Sequence, residues 1–265
     1  MANLLKAKLL QWAEPLQQTK ARKLYLDLMV KCLTGTIYQD RPLQVPWAAS
    51  EYSAELRESG LDWPSSAHSM IGMKRMNNLR TLTEAVITTK VPGDFVETGV
   101  WRGGAGILMR AVLKAYEIKN RRVWMADSFE GLPVPSPKYP ADEGGVFHKY
   151  SELAVPVEEV KGNFSKYDLL DDQVIFLKGW FKDTLPSASI GRIAVLRLDG
   201  DMYESTMDAL SALYDKVSPG GYVIIDDYHV VKGCKQAVHE FISYRGISPV
   251  IVNIDDVGVY WSVTE

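Results

Sequence analysis

Two stretches of this chain run from apolar residues straight into acids. They are Leu196-Arg197-Leu198-Asp199-Gly200-Asp201 and Ile224-Ile225-Asp226-Asp227-Tyr228-His229. If both apolar runs are neighbouring strands, four carboxylates crowd one sheet edge. Like charges that close cannot all stay ionised without compensation. A bound cation is the simplest compensation, and oxygen ligands suit Mg²⁺, with Mn²⁺ or Ca²⁺ as alternatives. The sequence holds no Cys/His set with zinc spacing. The reading assigns Asp199, Asp226 and Asp227 to the metal and Asp201 to general-base work on a hydroxyl. Each acid also has a plain structural reading. Asp201 with Glu204 fits a D-x-x-E helix start, and Asp226-Asp227 could open a turn. His229 is a candidate contact to substrate or metal-bound water, set against a polar loop residue. His148, in a glycine-rich loop, is a weaker candidate.

Three further segments could hold a nucleoside. Glu97-Thr98-Gly99-Val100-Trp101-Arg102-Gly103-Gly104 is glycine-rich, so backbone can approach a ligand closely, but it lacks the full G-x-G-x-x-G phosphate spacing. Glu97 would repel a diphosphate and attract a cationic sulfonium bearing a free amino group. That points to S-adenosylmethionine. Asp127-Ser128-Phe129 comes about 30 residues later, one βαβ step, where an acid commonly holds ribose hydroxyls. Phe129 could pack on adenine. Gly179-Trp180-Phe181 offers two aromatics for an apolar purine slot. The competing readings are a glycine-rich turn, a capping Asp and core filler, respectively.

These loops need a frame. From Gly93 onward short apolar runs alternate with amphipathic helices. Strands are expected at 94–98, 122–126, 174–177, 193–198 and 222–225, and helices at 105–117, 157–164, 205–217 and 232–244. That alternation implies a mostly parallel sheet with helices on both faces. Two last strands, 249–254 and 259–263, are joined by so short a turn that they must be antiparallel. Upstream, residues 3–34 carry Leu24, Leu26, Leu28, Met29 and Leu33 at helical spacing. Residues 35–71 are irregular, and Met73, Met76, Leu79, Leu82 and Val86 mark a helix over 72–88. The fold class is α/β: a Rossmann-like, mostly parallel seven-stranded sheet ending in an antiparallel hairpin. Residues 1–90 form a helical extension and lid, and 91–265 the main domain.

Composition narrows the partners. The 265 residues carry a net charge of −3, and the longest basic run is Lys119-Asn120-Arg121-Arg122, which argues against nucleic acid. No apolar run reaches the roughly 20 residues needed to span a bilayer, and no signal peptide is visible at 1–10. Cys32 and Cys234 lie far apart and read as buried thiols in a reducing, cytoplasmic compartment.

Taken together, the Glu97–Gly104, Asp127–Pro133, Leu198–Thr206 and Ser218–Tyr228 motifs resemble the macrocin O-methyltransferase family. That family includes mycinamicin III and noviose O-methyltransferases and methylates deoxysugar hydroxyls on macrolides and aminocoumarins. The resemblance covers the chain from about Thr34 onward; residues 1–20 match nothing. It implies Mg²⁺ on Asp199, Asp226 and Asp227 and the base at Asp201. It also implies that Ser69-Met70-Ile71-Gly72-Met73-Lys74-Arg75 helps close over the cofactor, with Met70 a cofactor contact. Tyr203, in the third motif, joins His229 as a substrate candidate. Members are usually dimers or larger, so a homo-oligomer acting on a small-molecule glycoside is expected, with the loop near 134–150 as lid or interface. A catechol or phenol acceptor remains a second reading. A nicotinamide-dependent reductase or non-catalytic nucleotide-binding protein remains a third, opposed by Glu97 and the acid cluster.

Overall fold

The computed structural model describes residues 2–45 and 49–264, with side chains from Gln18 onward. The chain opens with α1 (Ala2–Leu33), a short α2 (Ala54–Ser59) and α3 (Gly72–Thr88). Then β1 (Asp94–Thr98), α4 (Gly104–Ala115), β2 (Val123–Asp127), α5 (Val157–Lys166), β3 (Val174–Lys178), α6 (Phe181–Thr184) and β4 (Ile193–Leu198) follow. The last elements are α7 (Tyr203–Leu213), β5 (Val217–Ile225), α8 (Lys232–Arg245), β6 (Val252–Asn253) and β7 (Val259–Ser262). The strand order is β3-β2-β1-β4-β5-β7-β6, with β1 to β5 parallel and β7 antiparallel to both β5 and β6.

Period-two alternation along each strand feeds two cores. Phe95, Met125, Val195 and Ile224 face one side, where they join α1, α3, α4 and α5 through Leu26, Met76, Leu79, Leu108 and Phe164. Val96, Trp124, Leu196 and Val223 face the other, against Leu210 and Leu213 of α7 and Val238 and Phe241 of α8. Strands covered on both faces must read as continuous apolar runs, and β4 is buried along its whole length.

Several boundaries differ from the sequence reading for local reasons. β5 begins five residues earlier, because Val217 pairs with Ile193 before the register shifts and Ser218–Gly221 bulges out ahead of Tyr222. α7 starts before Ser205, because its free amides are capped from a distant loop (below). The strand expected over 249–254 shrinks to two residues; Pro249 cannot donate to a ladder. α2 and α6 are too short to show a period. On α1 only Leu26, Met29 and Leu33 of the apolar set are buried, while Leu24 and Leu28 are exposed. Cys234 is buried as expected, but Cys32 is only half-buried; both are free thiols.

Beneath the irregular 35–71 segment lies a buried ion pair. Arg57 donates to both oxygens of Asp62 and to the carbonyls of Thr34 and Asp40, and neither side chain of the pair is exposed to solvent. One guanidinium thus ties the end of α1, the following turn and α2 into one body. Among the described residues no helix is long and apolar enough to cross a membrane.

Candidate active site

The parallel strands end on a cavity of about 550 Å³. It lies beside the β1–β4 contact, where the strand order reverses and open α/β sheets bind ligands. Glu97, Gly99, Asp127, Trp180 and Phe181 border it on one side, Asp199, Asp201, Asp226 and Asp227 on the other. Trp63, Ser69, Met70 and Ile71 close it from the α2–α3 segment.

At the first loop Gly99 adopts φ 89°, and a Cβ there would overlap the Asp199 carbonyl oxygen. Only glycine lets the β1 and β4 loops meet this closely. Trp101 follows in left-handed backbone at φ 47°, its indole donating to the Glu152 carbonyl at 2.9 Å. Asp127 accepts the Val100 amide at 2.6 Å and the Phe129 amide at 2.7 Å, one on each oxygen. The Ser128 hydroxyl also donates to Oδ1, at 3.4 Å, so the carboxylate shapes the loops while bordering the cavity. Burial pushes its pKa up, against those amides.

Other expected cofactor residues stand behind the cavity rather than on it. Thr98 is fully buried, Gly103 starts α4 at φ 91°, and Gly179 makes the turn after β3 at φ 141°. Arg102 donates to the carbonyls of Pro64 and Ala67, both at 3.0 Å, and so pins the segment before α3 to the β1 loop. Phe129 is a correction. Its ring is buried, tilted against Phe176 at 6.1 Å between centroids, because φ 57° turns the backbone and directs the ring into the core. Ser128 does border the cavity.

The acid cluster forms as the strand pairing requires. One oxygen each from Asp199, Asp226 and Asp227 lie within 4.8 Å of one another. Compensation within the protein comes from two arginines that the sequence reading left unassigned. Arg197, on β4, bonds Glu97 at 2.7 Å, Asp199 at 2.8 Å and Asp226 at 2.6 Å. Arg75, in the first turn of α3, bonds the other oxygen of Asp226 and lies 3.3 Å from Asp255. A signal for both was present: Arg197 interrupts an apolar strand, and Arg75 lies on the stripe of α3 that carries Met76, Leu79 and Leu82. A charge at a core position requires buried partners.

Two arginines do not balance Glu97, Asp199, Asp201, Asp226, Asp227 and Asp255. Burial pushes Asp201 up to about 8, with repulsion from Asp199 and Asp226 adding to it. Burial raises Asp227 well above the usual carboxylate range, and repulsion from Asp201, Asp199 and Asp226 adds to it. Burial would raise Asp226 too, but Arg197 and Arg75 outweigh it and hold that carboxyl low. Burial lifts Glu97 to about 8, opposed by Arg197. Arg197 bonds one of the Glu97 oxygens, Oε1, at 2.7 Å, and Glu97 borders the cavity. Asp227 Oδ2 is buried without any hydrogen-bond partner. An oxygen-only donor set with excess negative charge and an unpartnered buried oxygen fits a hard divalent cation.

Asp201 does not cap α7. Asp142, from the 134–150 loop, accepts the amides of Tyr203 at 2.7 Å and Glu204 at 3.0 Å instead. Asp201 stands just before that helix at φ 55° and borders the cavity, its carboxylate making no hydrogen bond or ion pair with the described residues. The two substrate candidates do not reach the cavity. Tyr203 directs its hydroxyl to Glu240 at 2.6 Å, and exposed His229 pairs with Asn253 at 3.0 Å. His148 also lies outside this cavity and lines a second, smaller one with Asp142 and Gly233. Leu61, Val134 and Val230 form an apolar rim, with Lys182, Glu204 and Asp208 at the polar end; sequence spacing could not show these.

Residues 42–263 match the family described as Macrocin-O-methyltransferase (TylF). The 8-demethyl-8-(2,3-dimethoxy-alpha-L-rhamnosyl)-tetracenomycin-C 4'-O-methyltransferase of Streptomyces olivaceus is 55% identical over 246 residues, 92% of this chain and 94% of that protein. The demethyldecarbamoylnovobiocin O-methyltransferase of Streptomyces niveus is 54% identical over 245 residues, covering 91% and 94%. The solved structure of the O-methyltransferase NovP superposes with a TM-score of 0.88 at 53% identity, covering 92% of this chain and 100% of that one. With its acids, loops and strand order in that setting, this chain belongs to the macrocin O-methyltransferase family and is an O-methyltransferase.

Proposed function

We propose that the protein moves a methyl group from S-adenosylmethionine to a sugar hydroxyl of a glycosylated natural product, with Mg²⁺ held by Asp199, Asp226 and Asp227. The observation that carries this is one cavity bordered both by the nucleoside loops and by an acid, Asp201, left free of structural bonds. The hydroxyl oxygen attacks the sulfonium methyl carbon, the carbon–sulfur bond breaks, and S-adenosylhomocysteine leaves. Asp201 accepts the hydroxyl proton. Bound Mg²⁺ would supply stabilisation of the deprotonated hydroxyl. Glu97 and Asp127 would hold the amino group and ribose, and Trp180 and Phe181 would flank the adenine. Met70 and its neighbours border the cavity, which supports reading the stretch before α3 as closing over the cofactor. The sugar acceptor is supported by the rhamnosyl substrate in the tetracenomycin relative's name.

The test is calorimetric titration of S-adenosylhomocysteine with Mg²⁺ or EDTA, in wild type and Asp199→Ala, followed by a screen of demethylated glycosides against catechols. Nucleoside binding, Mg²⁺ binding lost in Asp199→Ala, and methylation of a glycoside are expected. Transfer to catechols alone would remove the sugar acceptor, and a folded protein that binds no nucleoside would remove the cofactor. Homo-oligomeric assembly belongs to the same reading and is checked by light scattering.

A further inference from the structure

We propose that Arg75 is an exchangeable counter-ion: it moves from Asp226 to Asp255 when a divalent cation takes Asp226, so that cation loading is registered by the helix that closes the cavity. This rests on the metal reading above and deepens it.

Both oxygens of Asp226 are occupied. Arg197 holds Oδ1 and Arg75 holds Oδ2. Arg197 is fixed on its strand by Glu97 and Asp199 as well. Arg75 is held less firmly. Its Nη2 reaches the carbonyls of Ser59 and Gly60 only at 3.5 and 3.4 Å, and its Nε makes no hydrogen bond at all. A cation at Asp226 Oδ2 brings a second positive charge to the oxygen that Arg75 holds, and the repulsion between the two favours a new partner for Arg75.

Asp255 is a ready alternative. Its Oδ1 is fixed by the amides of Val257 and Gly258, at 2.9 and 2.8 Å. Its Oδ2 already forms an ion pair with Arg75 Nε at 3.3 Å, but neither atom makes a hydrogen bond. A small shift would complete this ion pair with a hydrogen bond, and leaving both buried groups without one is expensive. Gly258 keeps the neighbouring space open, since a Cβ there would press on Arg75 Cδ at 3.2 Å. Arg75 lies in the first turn of α3, directly after the cavity-lining Ser69, Met70 and Ile71, and beside Gly60 at the end of α2. A change of partner at Arg75 is thus felt by the closing segment.

The exchange predicts non-additive cation affinities, measured by calorimetric titration of Mg²⁺ into wild type, Arg75→Gln, Asp255→Asn and the double variant, all saturated with S-adenosylhomocysteine. Arg75→Gln removes the competitor and should tighten Mg²⁺ binding by roughly tenfold, and Asp255→Asn removes the alternative partner and should weaken it by about as much. In the Arg75→Gln background Asp255→Asn should then have no effect. If Asp255→Asn weakens binding equally in both backgrounds, Asp255 acts only as a distant charge and the exchange is wrong. Arg75→Gln leaving Mg²⁺ affinity unchanged or weaker overturns it too. Absence of Mg²⁺ binding in all four proteins overturns the exchange and the metal assignment together, whereas additive binding overturns the exchange alone. Hydrogen exchange over residues 56–76 gives an independent readout. Protection should change on Mg²⁺ addition in wild type and not in Arg75→Gln.

Discussion

Asp201 occupies left-handed backbone one residue before the Met202 cap position of α7. Non-glycine residues adopt that conformation at a cost, Asp more readily than most, and here it places the carboxylate at the cavity. Asp201→Asn keeps the shape and removes the base. kcat/KM should fall roughly 10²- to 10⁴-fold, a range usual for loss of one proton acceptor, with S-adenosylhomocysteine affinity unchanged by calorimetry. A parallel loss of affinity would mean the residue shapes the cofactor pocket instead. Gly99 makes the opposite case. Gly99→Ala should lower nucleoside affinity by at least ~10-fold, because the β1 loop must withdraw from Asp199. At this scale the sequence told most of the story, since acids and glycines at strand ends are visible as types in order. Arg75 and Arg197 were not assigned, because Glu97, Asp226 and Asp255 reach them only through the tertiary fold.

Asp142 shows how one element can be completed by another. The first turn of α7 has no cap from its own sequence; an acid some sixty positions earlier supplies it. Gly233, at the start of α8, lets the two helices close around that carboxylate. Asp142→Ala should cost about 1 kcal/mol of stability, the usual value of a lost N-cap, and should increase proteolysis in the 134–150 loop. An unchanged urea midpoint with an unchanged cleavage rate would refute this. The segment leading into α3 carries a second test. Burial, then Lys166 and Arg102, lower the pKa of His68 from 6.5 to about 4, while its Nδ1 pairs with the Tyr167 hydroxyl. A folded-state value below the unfolded one means that the unfolded chain binds more protons between them. Stability from neutral His68 is therefore full above pH 6.5 and is lost as pH falls toward 4. The drop in urea midpoint from pH 7 to pH 5 should be smaller in His68→Gln than in wild type. Equal drops would assign the acid sensitivity elsewhere. Elements with ten or more residues were legible from periodicity. α3 matched its expected bounds of 72–88 at both ends, whereas α7 did not, because its start depends on a cap from the distant Asp142.

Across the whole molecule, the segment before the sheet is fastened by polar as much as by apolar contacts. The Arg57–Asp62 pair is excluded from water and bridges the end of α1 to α2. Removing one partner strands a buried charge, so Asp62→Ala should lose roughly 3–5 kcal/mol in denaturant unfolding. Replacement of both residues by apolar ones should recover much of that. If the single substitution is neutral, the pair is not what fixes the segment. Strand order was only partly readable: the final hairpin was evident from its short turn, but the insertion of β7 between β5 and β6 was not.

That insertion also sets an order of assembly during synthesis. β5 carries Asp226 and Asp227 just past its end, yet its outer neighbour is β7, which emerges from the ribosome only after α8 and β6. Until then β5 is an open, apolar edge of the kind that recruits foreign strands. The fully buried Trp261 that seals it arrives only with β7. Nascent chains of this enzyme therefore spend the translation time of some thirty residues with their acid cluster built on an unguarded edge. Slow codons over that interval would favour aggregation, and fast ones would shorten the exposure.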